Sequence, residues 1–283
     1  MKNRSLNNQT VLITGASSGI GFATAIYFDN IGIKVYAGVR KESDGERLKE
    51  HEINNITPVI LDVCDYPSIQ RAFDLIKKKE EGTIFNLINN AGLSLNGPLE
   101  LMDQNDIQKL IDVNVTGLLT VTRTFLPLIR EKMGRLVNIS SGHGLVAVPD
   151  KSVYAASKFA VQAVSESLRV ELMPFGVFVS NIVVGKINTN VLGKIMAERQ
   201  KMTEQTNYEV YELYRTQIEY FDREVKNLPS IEASEAAEMI SRALTDEKPK
   251  MQYLVGPGAK KMKILALFPP KMRGKMLYKA IFK

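Results

Sequence analysis

Short apolar runs and longer amphipathic stretches alternate along this chain. Residues 10–14, 35–39, 57–61, 84–88, 136–140, 177–184 and 253–255 are runs rich in β-branched and other apolar side chains. Each stretch between them is long enough for a crossover helix. Strands that read as nearly continuous apolar runs are covered on both faces, and helical crossovers between them make the sheet parallel. The pattern predicts an α/β fold with a doubly wound parallel sheet, in a single domain over 1–283. No internal repeat or low-complexity linker divides it.

Two regions break the rhythm. Residues 190–230 are too long for a simple connection, and they carry Val191, Ile195, Met196, Met202, Val210, Leu213, Ile218 and Phe221 at helical spacing. Residues 256–283 are punctuated by Gly256-Pro257-Gly258 and Pro269-Pro270. In this tail Met272, Met276, Leu277, Ala280 and Ile281 form a helical stripe, with Lys271, Lys275, Lys279 and Lys283 beside it.

Charge sharpens the picture of the tail. The chain carries a net +6, yet residues 246–283 hold ten Lys and Arg against two Asp and Glu, a net +8 that leaves the body at −2. A protein that coats nucleic acid spreads basic charge over its fold, so no nucleic-acid partner is expected. A basic helix with an apolar face lies on an anionic membrane, but it also packs on the body or at a subunit interface; both stay open. Two His and one Cys, Cys64, speak against a metal site and exclude an internal disulfide. The polar opening Met1-Lys2-Asn3-Arg4 and the absence of a ~20-residue apolar run set the expected location as cytoplasmic, with the tail as a membrane contact in reserve.

The chemistry starts from Tyr154 and Lys158. They sit four apart, so on a helix they share one face. An ammonium beside a phenol favours the phenolate and lowers its pKa, which would let Tyr154 exchange a proton with an alcohol near neutral pH. A partner reaction is suggested at the other end of the chain. Val11-Leu12-Ile13-Thr14-Gly15-Ala16-Ser17-Ser18-Gly19-Ile20-Gly21 reads as strand, glycine turn and helix start. Gly15, Gly19 and Gly21 allow a tight turn that brings backbone N–H groups onto a pyrophosphate at the helix N-terminus.

With these motifs the chain resembles the short-chain dehydrogenase/reductase family, in its shorter single-domain branch. The resemblance covers about 10–189 and implies a Rossmann-type fold. It implies that Gly15, Ser17, Ser18, Gly19, Ile20 and Gly21 form the cofactor loop, and that Asp62 and Val63 contact adenine. Asn90, Ala91 and Gly92 then lie beside the adenine ribose. Asn114 kinks a helix and anchors a proton-relay water; Ser141 orients the substrate oxygen; Tyr154 is the acid/base. Lys158 tunes Tyr154 and holds the nicotinamide ribose. Ser141 is preferred to Ser140 because it precedes Tyr154 by the family's usual thirteen positions, leaving Ser140 to the cofactor side. Gly185 and Thr189 keep the spacing of the family's next loop, with Thr189 on the carboxamide. Val184 replaces the usual proline there, so this loop is expected to be freer.

Arg40 and Lys41 follow the second strand, where relatives that prefer NAD carry an acid. Two cations suit a 2′-phosphate, so NADP(H) is favoured over NAD(H). The family's pocket is closed by the segment that here is 190–230. As a lid it suits an apolar small-molecule substrate, and as plain packing or a dimer contact it uses the same pattern. Residues 35–38 and 252–260 are similar to members acting on retinoids and steroids. The resemblance therefore implies an NADP(H)-dependent oxidoreductase, a homodimer or homotetramer, that interconverts an apolar alcohol and its ketone or aldehyde. A non-enzymatic NADP(H)-sensing or scaffold protein on the same fold is the alternative. An epimerase or dehydratase would need a substrate domain for which the chain lacks room.

Overall fold

A computed structural model describes residues 8–51, 54–80, 82–189, 191–205 and 207–283. The side chains of Val191 and Ile195, two of the apolar positions assigned to 190–230, lie outside the described residues, as do Asn190 and the polar residues 1–7. All seven expected strands are present: β1 (Gln9–Thr14), β2 (Lys34–Val39), β3 (Ile56–Ile60), β4 (Ile84–Asn89), β5 (Arg135–Ser141), β6 (Phe178–Val184) and β9 (Gln252–Val255). They form one parallel sheet in the order β3-β2-β1-β4-β5-β6-β9. Every residue of β1 and β5 is buried, as continuous apolar runs between two helical layers require.

One layer packs α1 (Gly19–Asn30) and α9 (Ala233–Thr245) on the sheet; Phe28, Ile33, Val137, Ile240 and Leu244 belong to its core. The other carries α3 (Tyr66–Lys79) and α5 (Leu118–Glu131) over Leu12, Leu87 and Leu136, with Phe85 and Phe125 stacked at 5.7 Å. Helix α6 (Ser152–Leu172) follows β5, and α2 (Glu42–Lys49) follows β2. The chain reverses direction of sheet growth between β1 and β4, so their carboxyl ends diverge and leave a crevice.

Residues 190–230 fold as two helices, α7 (Val191–Gln205) and α8 (Tyr208–Asn227). Short strands β7 (Ile187–Asn188) and β8 (Ile231–Glu232) pair in parallel at their base. This pairing, the Gly185 N–H donating to the Val255 carbonyl at 2.8 Å, and Lys186 Nζ donating to the Leu228 carbonyl at 3.0 Å tie the loop after β6 on both sides.

The tail is two helices, α10 (Pro257–Leu265) and α11 (Pro270–Phe282). The apolar stripe expected on α11 divides: Leu277 and Ile281 pack with Val146, Val148 and Phe221, whereas Met272 and Met276 stay exposed. Among the described residues no helix is long and apolar enough to cross a membrane.

Candidate active site

The glycine loop leaves β1 at the crevice. Gly15 has φ +66°, and a Cβ there would stand 2.8 Å from the Ala91 Cα; one on Gly21 would stand 2.4 Å from Asn90 Nδ2. These backbone approaches require glycine. Asn90 fastens the loop by donating to the carbonyls of Thr14 at 2.9 Å and Gly15 at 3.0 Å, while Thr14 Oγ1 accepts from the N–H groups of Asn90 and Ala91. Ser18 is the N-cap of α1 but makes no side-chain cap bond, and it is exposed. The first-turn N–H groups of α1 therefore lack a side-chain acceptor, a cradle that fits a pyrophosphate.

The other expected cofactor residues surround that cradle. Val63 packs on the backbone of Gly117, and the Asp62 carboxylate accepts from the Cys64 N–H at 2.9 Å. Gly92 lies with Asn114 Oδ1 and Lys158 Nζ around it, and Thr189 faces Gly19. Arg40 and Lys41 are exposed at the end of β2, and among the described residues no carboxylate forms an ion pair with either. Arg47, on α2, donates to the Ser17 carbonyl. This third cation at the glycine loop escaped the sequence reading, because it lies near the far end of α2, eight residues past the strand end where cofactor choice is read.

The four side chains expected to be catalytic, Asn114, Ser141, Tyr154 and Lys158, converge deeper in the crevice. Between α4 (Gln104–Ile111) and α5 the helix widens into a π turn at Asp112–Gly117, and Asn114 sits within it. Such bulges re-aim a side chain. Asn114 Oδ1 accepts from the Leu93 N–H at 2.7 Å, and its Nδ2 donates to the Leu93 carbonyl at 2.9 Å and to Ser157 Oγ at 3.0 Å. Ser157 in turn donates to the Tyr154 carbonyl at 2.7 Å. Ser141 ends β5, accepts from the His143 N–H at 3.2 Å, and its hydroxyl lies near enough to that of Tyr154 to favour the phenolate. Ser140 points elsewhere: its hydroxyl donates to the Lys158 carbonyl at 3.4 Å and accepts from Gln162, so it faces α6 rather than the expected cofactor side.

Tyr154 and Lys158 do share a face of α6, but their electrostatics differ from the expectation. Lys158 is 6% exposed, its Nζ donates to the Ile139 carbonyl at 3.1 Å and lies 5.9 Å from the centre of the Tyr154 ring. Burial pulls the Lys158 ammonium down to about 8. Burial also pushes the Tyr154 phenol up, and the Ser141 bond pulls it partly back. The lowering expected from Lys158 is outweighed because both groups are desolvated and the ammonium addresses the ring and a carbonyl. Tyr154 is thus held protonated at neutral pH.

The helices of 190–230 are latched to the body. Arg199 of α7 is 5% exposed and clasps Asp150 with two bonds of 2.9 and 2.6 Å, with Asp222 of α8 at 3.3 Å. Asp150 lies two residues before α6, at φ +68°. Tyr214 of α8 donates to Glu100 at 2.5 Å, and Met202 of α7 lies against Gly97. A buried Arg within a run of charged residues has no sequence signature, so this latch was not foreseen. Among the described residues no cluster of His, Cys, Asp and Glu could hold a metal.

Comparison with known proteins agrees with this geometry. Residues 9–200 match the family described as short chain dehydrogenase. A 3-amino-tetrahydro-pyrrolizinone reductase of Xenorhabdus hominickii is 34% identical over 270 residues, covering 93% of each chain. Retinol dehydrogenase 7 of Mus musculus is 33% identical over 283 residues, 96% of this chain and 89% of that one. A short chain dehydrogenase from Burkholderia cenocepacia, solved in complex with NADP, superposes with a TM-score of 0.75 at 25% identity, covering 99% of each chain.

The latch generates a prediction. Arg199→Met strands the buried Asp150 charge, so unfolding in denaturant should cost about 3–5 kcal/mol less than in the parent. A loss below about 1 kcal/mol, as for an exposed pair, would contradict the buried latch.

Proposed function

The chain belongs to the short-chain dehydrogenase family, and on that footing we propose that it interconverts an apolar alcohol and its ketone or aldehyde, of retinoid, steroid or lipid type, with NADP(H). Its general activity, nicotinamide-dependent oxidation or reduction at a CH–OH carbon, is that of its relatives. The observation that carries the finer reading is the meeting of the Ser141 and Tyr154 hydroxyls beneath a latched two-helix lid. A sensor or scaffold has no use for this set together with the Asn114 joint.

The glycine cradle would hold the pyrophosphate of a nicotinamide cofactor, which would supply or accept a hydride. Everything else falls to this chain's residues. Ser141 donates a hydrogen bond to the substrate oxygen and fixes it beside Tyr154. Tyr154, held protonated by burial, gives its proton to that oxygen as negative charge develops there. Oxidation reverses the transfer, and Tyr154 takes the proton. Asn114 and Ser157 position α6, and a water fixed by Asn114 returns the proton from solvent. The lid excludes bulk water from this exchange. Tyr154→Phe should abolish turnover, measured as reduced-nicotinamide absorbance, while leaving NADPH binding by fluorescence within about twofold, since the hydroxyl acts on the substrate. Turnover that survives the change contradicts the mechanism.

Arg40, Lys41 and Arg47 place three cations around the adenosine end of the cradle, which supports NADP(H) over NAD(H). Arg40→Asp should shift the NADP/NAD ratio of kcat/KM about 10- to 100-fold toward NAD, the worth of one charge-assisted bond. An unchanged ratio would remove Arg40 from cofactor choice.

Two associations complete the reading. Leu119 of α5 and Phe159 and Val170 of α6 are exposed apolar side chains that support a homodimer or homotetramer. On the tail, Ile264, Leu267, Met272 and Met276 are exposed among Lys260, Lys261, Lys263, Lys271 and Lys275. Apolar side chains ringed by ammonium groups fit an anionic membrane surface. Replacing Ile264, Leu267, Met272 and Met276 together by Ser should abolish co-sedimentation with phosphatidylserine vesicles; equal sedimentation of both proteins would refute the membrane contact.

A further inference from the structure

The carboxyl end of β5 meets α6 residue by residue. The Ile139 carbonyl accepts from Lys158 Nζ at 3.1 Å, Ser140 Oγ donates to the Lys158 carbonyl at 3.4 Å, and the Ser141 hydroxyl lies near that of Tyr154. Three successive strand residues therefore address the helical turn that carries Tyr154 and Lys158. A slip of one residue, about 3.3 Å along the strand, would misplace all three. Apolar contact does little against such a slip, because it is non-directional. Among the buried residues of α6 before Leu172, none but Lys158 is larger than valine, so interlocking side chains do not fix the helix either.

Gln162 supplies the missing direction. It lies four residues beyond Lys158, half-buried on the same face of the helix. Its Nε2 donates to Ser140 Oγ at 3.4 Å, and its Oε1 accepts from Asn181 Nδ2 of β6. Both ends of the amide are thus used, one on each of two paired strands. A hydroxyl has one proton to give, and Ser140 gives it to the Lys158 carbonyl while it accepts from Gln162. Gln162 therefore sets which way the Ser140 hydroxyl points. The anchor on β6 is firm: Asn181 is buried, and its backbone N–H donates to the Met251 carbonyl at 2.9 Å. The contact is also closed from a third side, since a Cβ on Gly144 would stand 2.7 Å from the Lys158 carbonyl oxygen and 2.8 Å from Ser140 Oγ.

We propose that Gln162 is a positioning residue for the reaction: its amide forks between Ser140 of β5 and Asn181 of β6, and so holds Tyr154 and Lys158 in register with Ser141. This rests on the oxidoreductase reading and adds a residue to it. Gln162 carries no proton and acts only through Ser140 and the helix. A misplacement of about 1 Å at the reacting groups costs up to about 100-fold in rate. The walls that bind substrate and cofactor are left as they were, so the loss falls on kcat and on kcat/KM together and spares KM. A side chain that merely filled space on this half-buried face would be replaced without loss by methionine, which has the same length and no hydrogen-bonding amide.

The test uses the full chain with NADPH and decanal, all-trans-retinal and a 3-ketosteroid, and carries the best of the three through the variants. Gln162→Met should lower kcat about 10- to 100-fold while KM, and the Kd of NADPH by fluorescence, stay within about twofold of the parent. Gln162→Glu should restore most of kcat, because its two oxygens still accept from Asn181 Nδ2 and from Ser140 Oγ and keep both strands tied. Asn181→Ala leaves the helix sequence intact and decides the matter where Gln162→Met does not fold: its kcat should fall with KM spared. Where both fold, the double variant should lose no more than about twofold beyond the worse single one, since residues that act as a unit are not additive. A kcat in Gln162→Met or in Asn181→Ala within about twofold of the parent, or an equal loss in Gln162→Met and Gln162→Glu, overturns the fork alone and leaves the oxidoreductase reading standing. No reduction of any of the three compounds by the parent overturns the apolar-substrate reading and the role of Gln162 with it.

Discussion

The carboxamide of Asn114 is the joint on which the site depends. It closes two bonds on the backbone of Leu93 and a third on Ser157, and Ser157 continues to the carbonyl of Tyr154. Through these four bonds the loop after β4, which borders the glycine cradle, is held in register with the helix that carries Tyr154 and Lys158. Asn114 is 1% exposed, so each unmade bond would leave a polar group stranded at a cost of about 1–3 kcal/mol. A regular helix could not aim the side chain this way, and the π turn at Asp112–Gly117 is the local concession that allows it.

Burial then sets the chemistry. Desolvation raises the phenol and lowers the ammonium, so Tyr154 is kept in the acid form while Lys158 stays close to its titration range. A protonated phenol beside the Ser141 hydroxyl presents two donors to an incoming carbonyl oxygen, the arrangement that stabilises charge developing on it. The same low-dielectric surroundings hold the Arg199–Asp150 latch together.

The sheet and the cradle were legible in the sequence because their signals are local. Continuous apolar runs mark strands buried on both faces, and Gly15, Gly19 and Gly21 mark a turn no other residue could make. Tyr154 and Lys158 needed only helical spacing to be paired. What could not be read depends on contacts between distant segments. Arg199 and Asp150 are 49 positions apart and look solvated until α7 comes back against the residues just before α6. Arg47 reaches Ser17 only because α2 returns beside the glycine loop. The tail stripe appeared to be one surface, yet Leu277 and Ile281 turn inward and Met272 and Met276 outward, since α8 offers Phe221 to one side alone. The sign of the Tyr154 shift was missed for the same reason: spacing gives proximity to a cation but not the depth of burial that opposes it.

Hydride transfer from the nicotinamide to a substrate carbon is the central claim, and isotope tracing tests it most directly. The full chain is given NADPH deuterated at the transferring position of the nicotinamide, with a panel of retinoid, steroid and fatty aldehydes and ketones. Mass spectrometry of the products should find one deuterium on the new carbinol carbon, with the hydroxyl proton taken from solvent. Product without deuterium at that carbon, or no product from any member of the panel, would contradict the account.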